Sequence, residues 1–191
     1  IKKAIIADYI SQYNDLVFSM PDTYTGFESL MAVVGYTMQI YCDFSGYTDI
    51  AIGCARMMGY RLMQNFDRPY GAENIKDFWS RWHISLTSWF KDYLYIPLGG
   101  NRKGKTRQYI NLFIVFLVSG LWHGAQWSFV IWGGLNGLYQ VLGDILKPIR
   151  EKLLQIFCLN PDSMGHKFIR ITITNFLVCI SWVFFRASNV S

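Results

Sequence analysis

The sequence predicts an all-α, multi-pass membrane protein in which interfacial amphipathic helices accompany the crossing ones. Of its 191 residues, 52% are hydrophobic and only 16% charged, a composition that leans away from ordinary soluble domains. Residues 108–143 form a run of 36 without one Asp, Glu, Lys or Arg. As a single helix rising 1.5 Å per residue this run would measure about 54 Å, well beyond the roughly 30 Å of a hydrocarbon core. The basic surplus is localised as well. Between Arg61 and Arg107 there are nine Lys/Arg and four Asp/Glu, a surplus equal to the +5 of the whole chain. Lying between hydrophobic segments, it marks a cytoplasmic face.

Taken in order, residues 1–20, IKKAIIADYISQYNDLVFSM, predict an amphipathic or partly embedded helix, closed by the turn residues of MPDTYTG. Residues 27–59 are hydrophobic and carry only Glu28, Asp43, Asp49 and Arg56. They predict one long crossing, or a crossing plus a second helix hinged near Gly46 in DFSGYTD. Residues 74–95 predict a continuous helix. At 100° per residue from Trp79, the side chains of Trp82, His83, Leu86, Phe90, Tyr93 and Leu94 share one face, with Ser88 opposite. This aromatic face is expected to point inward at the membrane interface.

YIPLGGNRKGKTRQ then ends the helix through Pro97, Gly99 and Gly100. Gly120 and Gly124 bracket Trp122 and His123, so the uncharged run is expected to be two helices meeting at GLWHG. Residues 171–185 predict a short or tilted crossing, after a loop containing Pro148, Pro161 and Gly165. The chain opens without methionine and stops just after a hydrophobic segment. It is therefore expected to be a fragment, one region over residues 1–191, with N-terminal helices and the C-terminal end missing.

Several functions are disfavoured by pattern. Cys42, Cys54, Cys158 and Cys179 are scattered, with no CxxC pair and no zinc-finger histidine spacing, so no metal site is expected. They read as small apolar fillers. The basic region lacks a nucleic-acid motif and its aromatics follow a helical stripe, so no nucleic-acid partner is expected. LGGNRKGK lacks the spacing of a phosphate-binding loop, and no GxSxG elbow is present.

Four places can carry chemistry. His123 lies inside an uncharged run, where an ionisable group usually faces the protein interior or a wet cavity. Neutral imidazole takes a proton from a hydroxyl and returns it near neutral pH. The residue alone reads equally well as an interfacial histidine bonded to a backbone carbonyl. His83, on the aromatic stripe, reads first as a core histidine with one satisfied hydrogen bond. His166, in DSMGHKF, reads as a solvated loop residue. Asp43 and Asp49 need partners at membrane depth, which Arg56 or Arg61 would supply. Six residues apart on a helix they do not converge for acid–base work, and they read as a structural polar knot.

YCDFSGYTDIAIG, NFDRPYGAENIKDFWSRWHISLTSWFKDYLYIPLGGNRKG, SGLWHGAQWSFVIWGGLNG and WVFFRAS together closely resemble the membrane-bound O-acyltransferase (MBOAT) family, in its bacterial polysaccharide-acetylating branch. The resemblance spans nearly the whole chain. It implies a partial MBOAT fold, a multi-helix enzyme with a tunnel through it, in which the WHG histidine, here His123, is catalytic. The histidine of RWHISL, His83, matches the second motif histidine. Related sequences often place a further histidine where this chain has Asn136 in WGGLNG; an asparagine does not titrate, so no catalysis is assigned to it.

The implied reaction transfers an acyl group, acetyl above all, from a thioester donor, acetyl-CoA or an acyl carrier, to a hydroxyl of a cell-surface or exported polysaccharide. No bound cofactor is implied. The implied setting is the bacterial cytoplasmic (inner) membrane, with the lipid bilayer, a polysaccharide acceptor and periplasmic or extracellular acetyl-transfer proteins as partners. Two alternatives stand beside it: D-alanyl or other acyl transfer to teichoic acid or another wall glycan, and a non-catalytic membrane component of a polysaccharide export complex.

Overall fold

Thr25 starts the longest helix with a reciprocal cap. Its hydroxyl accepts from the Glu28 amide at 3.4 Å, and the Glu28 carboxylate accepts from the Thr25 amide at 2.8 Å, satisfying donors that a helix start leaves open. In this computed structural model, which describes residues 1–158 and 160–187, the chain is helical and no strand occurs among the described residues. It divides into two compact units, Ile1–Phe66 and Asp67–Ser191. The last residue of the WVFFRAS motif, Ser188, lies outside the described residues.

In the first unit a π-helical turn, Lys2–Ala7, leads into α1, Asp8–Ser19, and a 3-10 turn at Pro21–Thr23 precedes α2, Gly26–Met57. The expected hinge near Gly46 does not occur, because α2 runs through it unbroken. Gly46 serves close approach instead. A Cβ there would lie 2.9 Å from the backbone nitrogen of Lys3, and one at Gly35 would lie 2.7 Å from the Asn14 side chain. Small residues thus let the N-terminal helix lie flush on α2. Asn14, fully buried, hydrogen-bonds Gln39 at 2.7 Å.

The carboxylates of α2 find partners other than the expected arginines. Asp49 pairs with Lys2 at 2.8 Å and Asp43 pairs with Lys3. The polar knot therefore ties the N-terminal turn to α2, a long-range pairing that helical spacing within residues 27–61 does not reveal. All four side chains are 44–61% exposed, so solvent screens each pair and its contribution to stability is small. Asp43→Asn and Asp49→Asn are each expected to shift thermal stability only slightly, which thermal melts of the two variants check.

The second unit begins with a 3-10 turn, Pro69–Gly71, followed by α3, Ile75–Arg81, and α4, Ile84–Phe90, which continues into a π-helical turn, Lys91–Tyr95. The continuous helix expected over residues 74–95 is thus broken. Trp82 is extended and His83 adopts φ +45°, ψ +56°, a left-handed conformation uncommon for a side chain with a Cβ. The reason is nonlocal packing. Trp82 is 4% exposed, stacked on Phe78 at 5.6 Å and packed 5.1 Å from Trp182. The burial of this indole on another helix outweighs helix continuity. The aromatic stripe divides accordingly: Trp79, Trp82 and Phe90 are buried, while Tyr93 is 69% exposed.

The turn after it is pinned by a residue that sequence reading passed over. Asn111, fully buried, donates to the carbonyls of Leu98 at 3.2 Å and Gly100 at 3.0 Å. Gly99 and Gly100 take φ of +104° and +54°, which glycine adopts without steric cost.

Then come α5, Lys105–His123, α6, Trp127–Ile156, and α7, Met164–Arg186. The expected pair of helices meeting at GLWHG is present. α5 and α6 form an antiparallel hairpin whose seam is glycine. A Cβ at Gly120 would lie 2.3 Å from the Phe129 carbonyl oxygen, and one at Gly133 would lie 2.3 Å from that of Phe116. Two expectations are corrected at the far end. Pro148 lies inside α6 rather than in a loop, on an exposed stretch where the Asp144 carbonyl that loses its donor is not sealed in the core. His166 lies in the first turn of α7, whose start is capped by Ser163.

Among the described residues one helix, α7, is long and apolar enough to cross a membrane by length and composition. The uncharged parts of α5 and α6, 16 and 17 residues, measure about 24–26 Å each, short of a full core. Among the described residues no disulfide joins the cysteines and only Cys42 of the four is buried; Cys54 and Cys158 are exposed rather than fillers.

Candidate active site

His123 is the last residue of α5, where the chain must turn within three residues to start α6. Gly124 makes that turn possible, since a Cβ there would lie 2.6 Å from the Phe129 ring. The imidazole sits among aromatic rings. Trp122, Trp132 and Phe185 meet it edge-on at centroid distances of 5.0, 5.2 and 5.1 Å, and Phe129 lies tilted at 6.3 Å. Such edge contacts are a preferred aromatic geometry. Among the described residues no carboxylate forms an ion pair with His123. Its ring is therefore oriented by packing, and not by the carboxylate partner of a hydrolase triad.

The Trp122 ring also lies 6.5 Å from the His83 ring. One indole thus touches both histidines, and the break between α3 and α4 turns His83 towards the α5–α6 junction. Burial, and less strongly the charge His123 would carry, push the His83 imidazole down to about 4, so His83 is neutral at pH 7. The unfolded chain takes up this proton near 6.5 and the folded chain only near 4. Between these values the unfolded state binds more protons, so folding stability falls as pH drops from about 6.5 towards 4. His83→Gln is expected to flatten that fall, as read by thermal melts of the full-length protein across this window.

Asn136 is fully buried and hydrogen-bonded at both ends of its amide. Its Oδ1 accepts from the Trp79 indole at 3.3 Å and its Nδ2 donates to the Trp132 carbonyl at 2.8 Å. It braces α3 against α6. Asp43 and Asp49 belong to the other unit. His166 is separated from Phe185 by about 28 Å of α7. Among the described residues no group of three His, Cys, Asp or Glu could hold a metal ion.

The wall behind the histidines went unread in the sequence. Trp132 and Trp182 stack at 6.0 Å with 18° between their planes, and Phe185 packs on both at 5.3 Å. The signal available was W-x-x-F in SWVFF, three residues apart and so on one helix face. α7 is held in place by Arg170, paired with Glu73 at 2.9 Å, and by Asn175, which donates to the Tyr70 carbonyl at 2.9 Å.

A helical unit that sets two histidines on a glycine-seamed hairpin and a broken helix agrees with the class its motifs resemble. Residues 3–185 match the model of the MBOAT, membrane-bound O-acyltransferase family, and the chain belongs to that family. Among individual proteins, it is 44% identical over 190 residues to a probable alginate O-acetylase, AlgI, of Pseudomonas syringae pv. tomato, covering 100% of this chain and 34% of that protein. It is 40% identical over 189 residues to a peptidoglycan O-acetyltransferase of Helicobacter pylori, covering 99% of this chain and 34% of that one. A teichoic acid D-alanyltransferase of Bacillus subtilis is 32% identical over 164 residues, covering 82% of this chain and 40% of the relative. The chain thus spans about a third of the length of the curated relatives it matches most fully.

Proposed function

We propose that this chain forms the catalytic region of a membrane O-acyltransferase that passes an acetyl group from a thioester donor to a hydroxyl of a cell-surface or exported polysaccharide. The observation that carries the reading is the placement of His123 at the α5–α6 junction, joined through the Trp122 ring to His83, in a chain of the MBOAT family. His123 acts as general base. It takes the acceptor hydroxyl's proton as the oxygen attacks the thioester carbonyl, and returns it to the departing thiolate. His83, neutral at pH 7, orients a reactant or stabilises developing charge. Transfer of this kind by a positioned base contributes about 10²–10⁴-fold to rate.

The protein acts in the bacterial cytoplasmic membrane as a multi-pass protein, with α7 as one crossing and the α5–α6 hairpin as wall of a tunnel. Such a tunnel lets a cytoplasmic acetyl-CoA or acyl carrier meet an acceptor on the far side, from which periplasmic proteins take the product onward. Acetyl is favoured over D-alanyl because identity and the share of this chain covered are both higher towards the relatives named for O-acetyl transfer than towards those named for D-alanyl transfer. The test is chemical. Mild base releases the esters of the exported polysaccharide from the host and from a strain lacking the gene. Acetate lost on deletion is the expected result. Loss of D-alanine instead would move the reading to the second acyl class, and unchanged ester with impaired polymer export would favour a non-catalytic component.

A further inference from the structure

Three indoles stand in the wall behind His123, and the chain treats them differently. Trp79 donates its Nε1–H to Asn136, a residue with no other visible purpose than to receive it and brace α6. The Nε1 atoms of Trp132 and Trp182 are buried and have no acceptor among the described residues, although these side chains are only 1% and 2% exposed. Buried N–H groups are almost always partnered, and an orphaned one calls for a reason. An indole N–H can only donate. Whatever it serves must therefore present an acceptor.

Placement narrows the occupant. Trp132 meets the His123 ring edge-on at 5.2 Å and stacks on Trp182 at 6.0 Å. Trp182 lies 5.1 Å from Trp82, the residue before His83. The two orphaned donors thus belong to the same aromatic wall that carries both histidines. When a hydroxyl attacks a thioester, negative charge develops on the carbonyl oxygen, and neutral donors fixed in a water-poor site act most strongly on such charge. His123 accounts for the proton, and the donor to that oxygen is a separate requirement.

We propose that the Trp132 indole N–H, seconded by that of Trp182, donates to the carbonyl oxygen of the acyl thioester during transfer. The inference rests on the acyl-transfer reading. The acceptor oxygen bonds to the carbonyl carbon while its proton passes to His123, and the C=O π pair moves onto the oxygen held by the indoles. That pair then re-forms the double bond, the C–S bond breaks, and the thiolate leaves with the proton returned by His123. The indoles neither gain nor lose a proton, so their role is independent of pH. Trp132 is accordingly a catalytic residue and Trp182 its second donor, and His83 is left the orienting role.

Trp132→Phe and Trp182→Phe, each in the full-length protein in its host, keep an aromatic ring and delete the N–H. The initial rate of polysaccharide ester formation is expected to fall on the order of 10²-fold for Trp132→Phe and less for Trp182→Phe. The melting temperature of each purified variant should fall modestly and by a similar amount, because the smaller ring leaves a cavity that removal of an unpartnered donor only partly offsets. A wild-type rate for Trp132→Phe would overturn the inference while leaving acyl transfer intact. Rate losses that are equal in the two variants and follow their losses of melting temperature would also overturn it, since the indoles would then be structural, for instance through an internal water. If deleting the gene leaves ester content unchanged, the acyl-transfer reading itself fails and the inference with it.

Discussion

Replacing His123 by phenylalanine will leave the protein folded and lower polysaccharide acylation by about 10²–10⁴-fold, the contribution of a positioned base. The choice of phenylalanine separates two roles. The imidazole makes edge contacts with Trp122, Trp132 and Phe185, and a phenyl ring can keep such contacts while offering no lone pair to a proton. His123→Ala removes ring and base together, so it adds a packing loss of a few kcal/mol at most. If packing were the whole role, the phenylalanine variant would recover what the alanine variant loses. The account expects both to be inactive, with the phenylalanine variant the more stable. Ester formation and thermal melts on the same preparations decide it.

Gly133→Ala is the second large effect, and it acts without touching the chemistry. A Cβ at Gly133 would lie 2.3 Å from the Phe116 carbonyl oxygen, 3.1 Å from its carbon and 3.3 Å from the Gly120 Cα. These are backbone atoms, so no side-chain rotation relieves the clash and α5 must part from α6. Overpacking costs roughly 1–3 kcal/mol, and a backbone clash belongs at the upper end. Separation also displaces His123, which sits at the end of α5, so activity should fall with stability. Gly134→Ala is the control one residue on. Its Cβ would meet only Leu117 and Phe113 side-chain atoms, at 3.7 and 4.0 Å, and replacing a helical glycine by alanine gains up to about 1 kcal/mol. Opposite shifts in melting temperature for adjacent glycines are expected.

Where the sequence was legible, the signal was local. The uncharged run announced two helices because Gly120 and Gly124 flank His123, and the structure places the turn there. The turns at Pro21 and Gly99 were equally local. The failures share a long-range cause. Nothing near Trp82 breaks a helix; the break comes from packing against Trp182, a hundred residues on. Asp43 and Asp49 were paired on paper with arginines downstream, whereas Lys2 and Lys3 arrive from another helix. Gly46 looked like a hinge because flexibility is the commoner use of glycine, yet here absence of a side chain admits the Lys3 backbone.

The candidate site shows the same division. His123 and His83 were singled out by their motifs, and the structure places their rings on either side of Trp122. Asn136 was set aside as unable to titrate, and its side chain is occupied in bracing Trp79 against α6. The stacked Trp132 and Trp182 were missed because no spacing within the chain relates α6 to α7.

The central claim is that His123 performs the proton transfer and His83 acts through the same step. The most direct measurement is the initial rate of ester formation on the polysaccharide in cells carrying His83→Ala, His123→Ala or both, at matched protein abundance. Residues that act as a unit lose activity non-additively. The account predicts that the double variant is no slower than His123→Ala alone. A wild-type rate in His123→Ala, or losses that multiply in the double variant, would contradict it.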